Sequence, residues 1–118
     1  MWLYTKQGFF SIVHKPPCKK DELLVRTRCR EDIEALSQKL LQSNNFNGTI
    51  IKSPNSDYAY RMAVPRSILA PFMADLMEEL DYSNFKATIH HRDRLRHDAY
   101  LKCWEAMWAW QGKIKRKL

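Results

Sequence analysis

A hydrophobic period that switches from two to 3.6 at residue 30, and again at residue 66, predicts an α+β fold with a four-stranded antiparallel sheet and helices on one face. Three observations carry this reading. Leu23-Leu24-Val25-Arg26-Thr27-Arg28-Cys29 alternates, with Leu23, Val25, Thr27 and Cys29 on one side and Leu24, Arg26 and Arg28 on the other. Ile33, Leu36 and Leu40 then fall at helical spacing. Leu69, Phe72, Met73, Leu76 and Leu80 do so again after a second extended segment.

Trp2 to His14 is rich in aromatic and β-branched residues, so Phe9 to His14 is a strand with Trp2 to Thr5 extended ahead of it, interrupted at Lys6-Gln7-Gly8. Pro16-Pro17 ends that strand, because proline donates nothing to a ladder. Leu23 to Cys29 is the second strand. A helix follows from Arg30 to Gln42, with Glu31 and Asp32 in its first turn, where the helix dipole favours anions. Asn44-Asn45-Phe46-Asn47-Gly48 stops it. Thr49 to Ser53 and Tyr58 to Val64 make a hairpin around the turn Pro54-Asn55-Ser56-Asp57.

A second helix spans Ser67 to Leu80, with Ser67 as N-cap and Pro71 tolerated near its start. After the break at Asp81-Tyr82-Ser83-Asn84, a third helix runs from Phe85 to about Gly112, with a kink near His90 to Arg94. Lys113 to Leu118 is a frayed basic tail. Two hairpins with a crossover helix between them close one sheet, which predicts a permuted ferredoxin-like ββαββα plus a C-terminal helix.

The 118 residues suit one domain, assigned to 1–112, with 113–118 as the tail. An apolar fraction of 45% with 12% aromatic residues belongs to a globular chain rather than a disordered one. No apolar run approaches the roughly 18–20 residues of a bilayer span, and Met1 to Lys6 lacks the order of a signal peptide, so a cytoplasmic location without membrane contact is expected. Cys18, Cys29 and Cys103 form an odd, widely spaced set that fits neither a disulfide framework nor a zinc site. Asn47-Gly48-Thr49 reads as a turn rather than a glycosylation site.

The formal net charge is +7, and its distribution matters more than its size. Residues 86–118 carry nine basic residues against Asp93, Asp98 and Glu105. Residues 66–81 carry Asp75, Glu78, Glu79 and Asp81 against Arg66 alone. Such polarity suggests an anionic partner, although a basic segment also serves solubility. On the sheet face away from the helices, Arg26, Arg28 and Arg61 come together as neighbours on adjacent strands. With Phe9 and tyrosines close by, they suggest a surface on which nucleic-acid bases stack; the alternative is that they pair with Asp57, Asp21 or helix carboxylates.

In the third helix, Arg92, Arg96, Tyr100, Trp104 and Trp108 share one i, i+4 row beside Leu95, Ala99, Cys103, Met107 and Trp110. Aromatic stripes at this spacing are usually interior, so packing against the domain is expected. The alternative is a partner surface or dimer interface. His90, Asp93 and His97 share a helical face, but arginines surround them and no further ligand is identifiable, so no metal, no other cofactor and no catalytic residue is assigned. Cys29 and Cys103 fall on apolar faces, where thiols are usually inert.

The segments Trp2-Leu3-x-Thr5, Gly8-Phe9-Phe10-Ser11-Ile12-Val13, Val25-Arg26-x-Arg28, Asp57-Tyr58-x-Tyr60-Arg61 and Asp81-Tyr82-x-Asn84-Phe85-Lys86 as a set resemble a family of small uncharacterised bacterial and phage proteins, a domain of unknown function. The likeness extends to about Trp108 and leaves out Lys113 to Leu118. It carries no established activity. A phage or mobile-element setting implies host takeover, including inhibition of a host defence complex.

These readings converge on a non-enzymatic binding protein. The leading expectation is docking on a nucleic acid or nucleoprotein through Arg26, Arg28, Arg61, Arg92, Arg94 and Arg96. The rival is an inhibitor or adaptor that binds a host protein through Tyr100, Trp104 and Trp108, with room for a homodimer. A metal-dependent nuclease is the least favoured class.

Overall fold

In the computed structural model, which describes residues 1–117, the aromatic N-terminal segment forms a hairpin of two strands, β1 (Trp2–Thr5) and β2 (Gly8–Val13). The interruption at Lys6-Gln7-Gly8 is therefore a turn. Thr5 Oγ1 donates to the Gly8 carbonyl at 2.9 Å and accepts from the Gln7 N–H at 3.2 Å. This adds an edge strand, so the sheet has five strands and not the four expected.

The remaining elements of the first part are β3 (Glu22–Thr27), α1 (Arg30–Asn44), β4 (Ile51–Lys52), β5 (Tyr60–Pro65) and α2 (Arg66–Glu78). The antiparallel sheet has the order β1-β2-β3-β5-β4, and the β3–β5 ladder joins the two segments expected to pair. The hairpin strand expected over Thr49 to Ser53 shrinks to two residues. Gly48 lies against Met62 and Phe46, and Pro54 follows closely; only the Ser53 N–H, bonded to the Ala59 carbonyl at 2.7 Å, extends the pairing.

One face of the sheet holds the core. Phe10, Ile12, Val25, Met62 and Val64 point to the same side and pack against Ile33, Leu36 and Leu40 of α1 and Leu69 and Phe72 of α2. Each of these side chains is at most 5% exposed, and each full burial stabilises by about 1.5–3 kcal/mol. α1 carries its apolar stripe as its spacing predicts. α2 differs from expectation at its start: Pro65, not Ser67, precedes the first turn, and no side chain caps it. The Arg66 N–H is satisfied by the Asp21 carbonyl at 2.8 Å instead. Pro71 thus lies inside the helix, past its first turn, and Leu80 lies beyond its end with 54% exposure.

Contacts divide the chain into two compact units, Met1–Asp81 and the segment from Tyr82 onward. In the second, the single helix expected from Phe85 is two pieces, a 3₁₀ turn (Phe85–Thr88) and α3 (Arg94–Lys117). Ile89 is extended, the Arg92 N–H donates to His90 Nδ1 at 3.1 Å, and Asp93 restarts the helix, so side chains take over backbone groups between the pieces. The basic run from Lys113 to Lys117 is helical rather than frayed, and Leu118 lies outside the described residues. No helix among the described residues is long and apolar enough to cross a membrane.

α1 is tied to the first hairpin by one buried carboxylate. Asp32 is 4% exposed and its Oδ2 accepts from the Phe9 N–H at 3.0 Å, within the first turn of α1 where the dipole favours negative charge. Gly8, at φ 144°, leaves the space this carboxylate fills. Gly8→Ala drives a methyl group into the Asp32 carboxyl and strains the backbone. It is expected to destabilise the first unit by about 1–3 kcal/mol, read as a lower denaturant midpoint at unchanged slope.

Candidate binding surfaces

The sheet face opposite the core presents one row across all five strands. Trp2 pairs with Ser11, Ser11 with Arg26, Arg26 with Arg61 and Arg61 with Ile51. Alternation puts these side chains opposite Val25 and Met62. The structure therefore brings Arg26 and Arg61 together as expected, directly across the β3–β5 ladder. Arg26 Nη2 donates to Ser11 Oγ at 2.7 Å, and Arg28 Nη1 donates to the Asp57 carbonyl at 2.7 Å. Arg61 Nη2 lies 3.5 Å from Asp57 Oδ1. The guanidinium carbons of Arg26 and Arg28 each sit 4.3 Å from the centre of the Tyr58 ring. The Nε atoms of Arg26 and Arg61 are buried with no acceptor.

Two expectations for this face change. Of the carboxylates proposed as partners, Asp57 reaches Arg61, while Asp21 serves α2 through its carbonyl. The expected rings are covered: Phe9 is 9% exposed and packs with Trp2 and Tyr4 at centroid distances of 5.8 and 4.7 Å, and Tyr58 is 3% exposed, while Trp2 on the edge strand stays 62% exposed. Phe9 and Tyr58 are part of the packing and present no free face for base stacking. Ser11 and Tyr58, which hold the arginines, were not legible as site residues. Only the strand register shows that Ser11 stands beside Arg26.

On the second unit, Arg92 lies in the turn before α3, so the expected helical row begins at Arg96. Arg96 is committed locally: its Nε bonds Asp93 Oδ2 at 2.9 Å and its Nη1 donates to Tyr100 Oη at 2.8 Å. Tyr100 is half-buried and stacks on Phe85 at 5.8 Å. Lys86 Nζ lies 4.6 Å from the Trp104 ring centre, and Trp104 stacks on Trp108 at 5.7 Å with planes 4° apart. Arg92 and Arg94 are exposed.

Interior packing, the first expectation for this stripe, is not what the structure has. Trp104, Met107, Trp108 and Trp110 are 51–60% exposed and Leu95 is 87% exposed. Within this unit the 3₁₀ turn reaches Tyr100 and Trp104, and no second helix faces the rest of α3. Trp104, Met107, Trp108, Trp110 and Ile114 instead line a recess open to solvent, with Lys115 on its rim.

The histidine face resolves into capping. Asp93 Oδ1 accepts from the Arg96 N–H at 3.1 Å, which makes Asp93 the N-cap of α3. His90 and His91 stack at 4.5 Å, and His97 Nδ1 lies 3.6 Å from Asp98 Oδ1. Among the described residues, no group of three His, Cys, Asp or Glu side chains is placed to hold a metal ion. Cys103 is exposed rather than covered, and Cys18 and Cys29 are half-buried; none of the three is in a disulfide.

The Arg96 side chain, and then its N–H, hold the Asp93 carboxyl below the usual carboxylate range. A carboxyl depressed in the fold contributes stability that is complete above its unfolded value, about 3.9, and is lost as pH falls through the lower folded value. Asp93→Ala is expected to cost α3 about 1 kcal/mol, while Asp93→Asn keeps the cap. Far-ultraviolet circular dichroism from pH 7 to pH 2 checks this. The wild-type helical signal should drop below pH 4, and the Asn variant should lack that step.

The chain matches no family model, no curated protein and no solved structure.

Proposed function

We propose that this chain is a non-enzymatic binding protein that holds a protein partner through the aromatic face of α3. The observation that carries the reading is the exposure of Trp104, Met107, Trp108 and Trp110 along one side of a capped helix. Monomers rarely leave several large apolar side chains together in water, and clusters of this kind mark interaction sites. Trp and Met with flanking cations are the residue types enriched where partners dock.

The charge of the rim favours an acidic partner. Lys86 and Lys115 border the aromatic residues, and α3 carries Arg94, Lys102, Lys113 and Arg116 as well, against Asp98 and Glu105. A partner that offers an apolar groove edged by Asp and Glu satisfies both features, with charge steering the encounter and the tryptophans supplying affinity. The family resemblance would make that partner a host protein. The strand order of the first unit, with β1 set aside, supports a permuted ferredoxin-like scaffold.

The rival reading, docking on a nucleic acid or nucleoprotein through Arg26, Arg28, Arg61, Arg92, Arg94 and Arg96, is favoured by the positive charge of the sheet row. It is carried less far, because Phe9 and Tyr58 on that face are buried and Arg96 is bound by Asp93 and Tyr100.

Affinity capture from lysate, with and without nuclease, separates the two. A protein partner retained after nuclease should be lost on Trp104→Ala or Trp108→Ala, each weakening it by about 2 kcal/mol or more, roughly thirtyfold. It should be kept on Arg26→Ala and Arg28→Ala. Binding that disappears with nuclease and follows the arginines, with log affinity falling by roughly 0.7–0.9 per phosphate contact against log salt, would overturn the reading.

A further inference from the structure

We propose that Arg26, Arg28 and Arg61 form a binding site for a phosphate group, carried either by a small molecule or by a nucleic-acid backbone. The site lies wholly within the first unit and does not depend on the α3 reading.

Three features of the cluster call for an anion. Arg26 and Arg61 stand directly opposite on adjacent strands, where like charges destabilise the ladder. Their compensation is thin. The partner of Arg26 is a neutral hydroxyl, Ser11 Oγ, and among the described residues the one carboxylate in an ion pair with any of the three is that of Asp57. Its side chain is 69% exposed, it lies 3.5 Å from Arg61, and its Oδ1 already accepts the Tyr58 N–H at 3.0 Å. Three guanidinium groups thus face one carboxylate, which leaves two positive charges uncompensated. Last, Arg26 Nε and Arg61 Nε are buried donors without acceptors, in a fold whose other buried side-chain N and O atoms, among the described residues, all have partners.

The chemistry selects the ligand. Guanidinium groups bind planar or tetrahedral oxyanions through pairs of N–H donors, and three of them offer more donors than one carboxylate can use. A phosphate dianion supplies three strong acceptor oxygens and the two negative charges the cluster lacks. The Tyr58 ring, with Arg26 and Arg28 both against it, fixes two of the three groups before the anion arrives. Arg28 is exposed and Arg61 is 15% exposed, so the guanidinium ends can be approached from solvent while their stems are buried.

The test is thermal unfolding of the full chain in sodium phosphate titrated against sodium chloride at constant ionic strength. The wild-type midpoint should rise and saturate, as ligand linkage requires. Arg61→Met, which removes the like-charge pair, should equal or exceed the wild type in chloride and show no saturable rise in phosphate. Because Arg61 is half-buried, the exposed Arg28→Met is the second variant, and it should raise the phosphate concentration needed for half the effect about tenfold or more. A wild-type rise that never saturates, or one that both variants share in full, is general salting and overturns the proposal. Competition between inorganic phosphate and an oligothymidylate lacking terminal phosphates names the source. Displacement by the oligonucleotide assigns the site to a phosphodiester backbone, and saturable phosphate binding that the oligonucleotide cannot displace assigns it to a small phosphorylated molecule.

Discussion

The register of β3 against β5 sets both faces of the sheet. Val25 opposite Met62 puts two apolar side chains under α1 and α2; Arg26 opposite Arg61, one residue along, puts two cations on the other side. A slip of one residue would exchange the faces, burying guanidinium groups beneath the helices and exposing the core. The apolar set holds the register, since each of its members is worth a few kcal/mol while the repulsion of one opposed pair costs less than about 1 kcal/mol. The arginine pair is therefore tolerated because the core is strong.

Two carboxylates do comparable positioning elsewhere. Asp32 joins the start of α1 to the Phe9 N–H and occupies the space beside Gly8, so the first hairpin and the first helix are fixed by one buried group. Asp93 caps α3 and grips Arg96, which in turn donates to Tyr100; cap, cation and ring form one local chain at the root of the long helix. Both residues stand at helix N-termini, where negative charge is favoured and free N–H groups need acceptors. The acid spaced with His90 and His97 on one helical face thus has a structural duty.

The tryptophans of α3 show how a helix can be stable and yet incomplete. Its first turns are anchored by Asp93 and by the stacking of Tyr100 on Phe85, whereas from Trp104 onward its apolar residues meet solvent. An apolar stripe at helical spacing is the same in sequence whether its cover is the chain itself or another molecule. Among the described residues of this unit, the short 3₁₀ turn alone is available to cover it.

The sequence by itself determined the α+β class, α1 and its buried stripe, the pairing of the segments around Val25 and Met62, and the convergence of Arg26, Arg28 and Arg61. Each follows from a local period, and the period decides which side chains share a face. It also fixed the end of α1 near Asn44 through the turn residues there. Tertiary structure decided the rest. β1 became a strand because β2 offered it a partner, and the short turn at Lys6-Gln7 is visible as a turn only once both strands pair. Phe9 and Tyr58 were closed off by Trp2, Tyr4 and the arginines, contacts between residues distant in sequence. The break before α3 arose from side chains bonding backbone groups at His90 and Asp93, and exposure of Trp104 and Trp108 depends on what else lies near the helix. None of these is encoded in periodicity, because each depends on which surfaces the folded chain brings together and which it leaves uncovered.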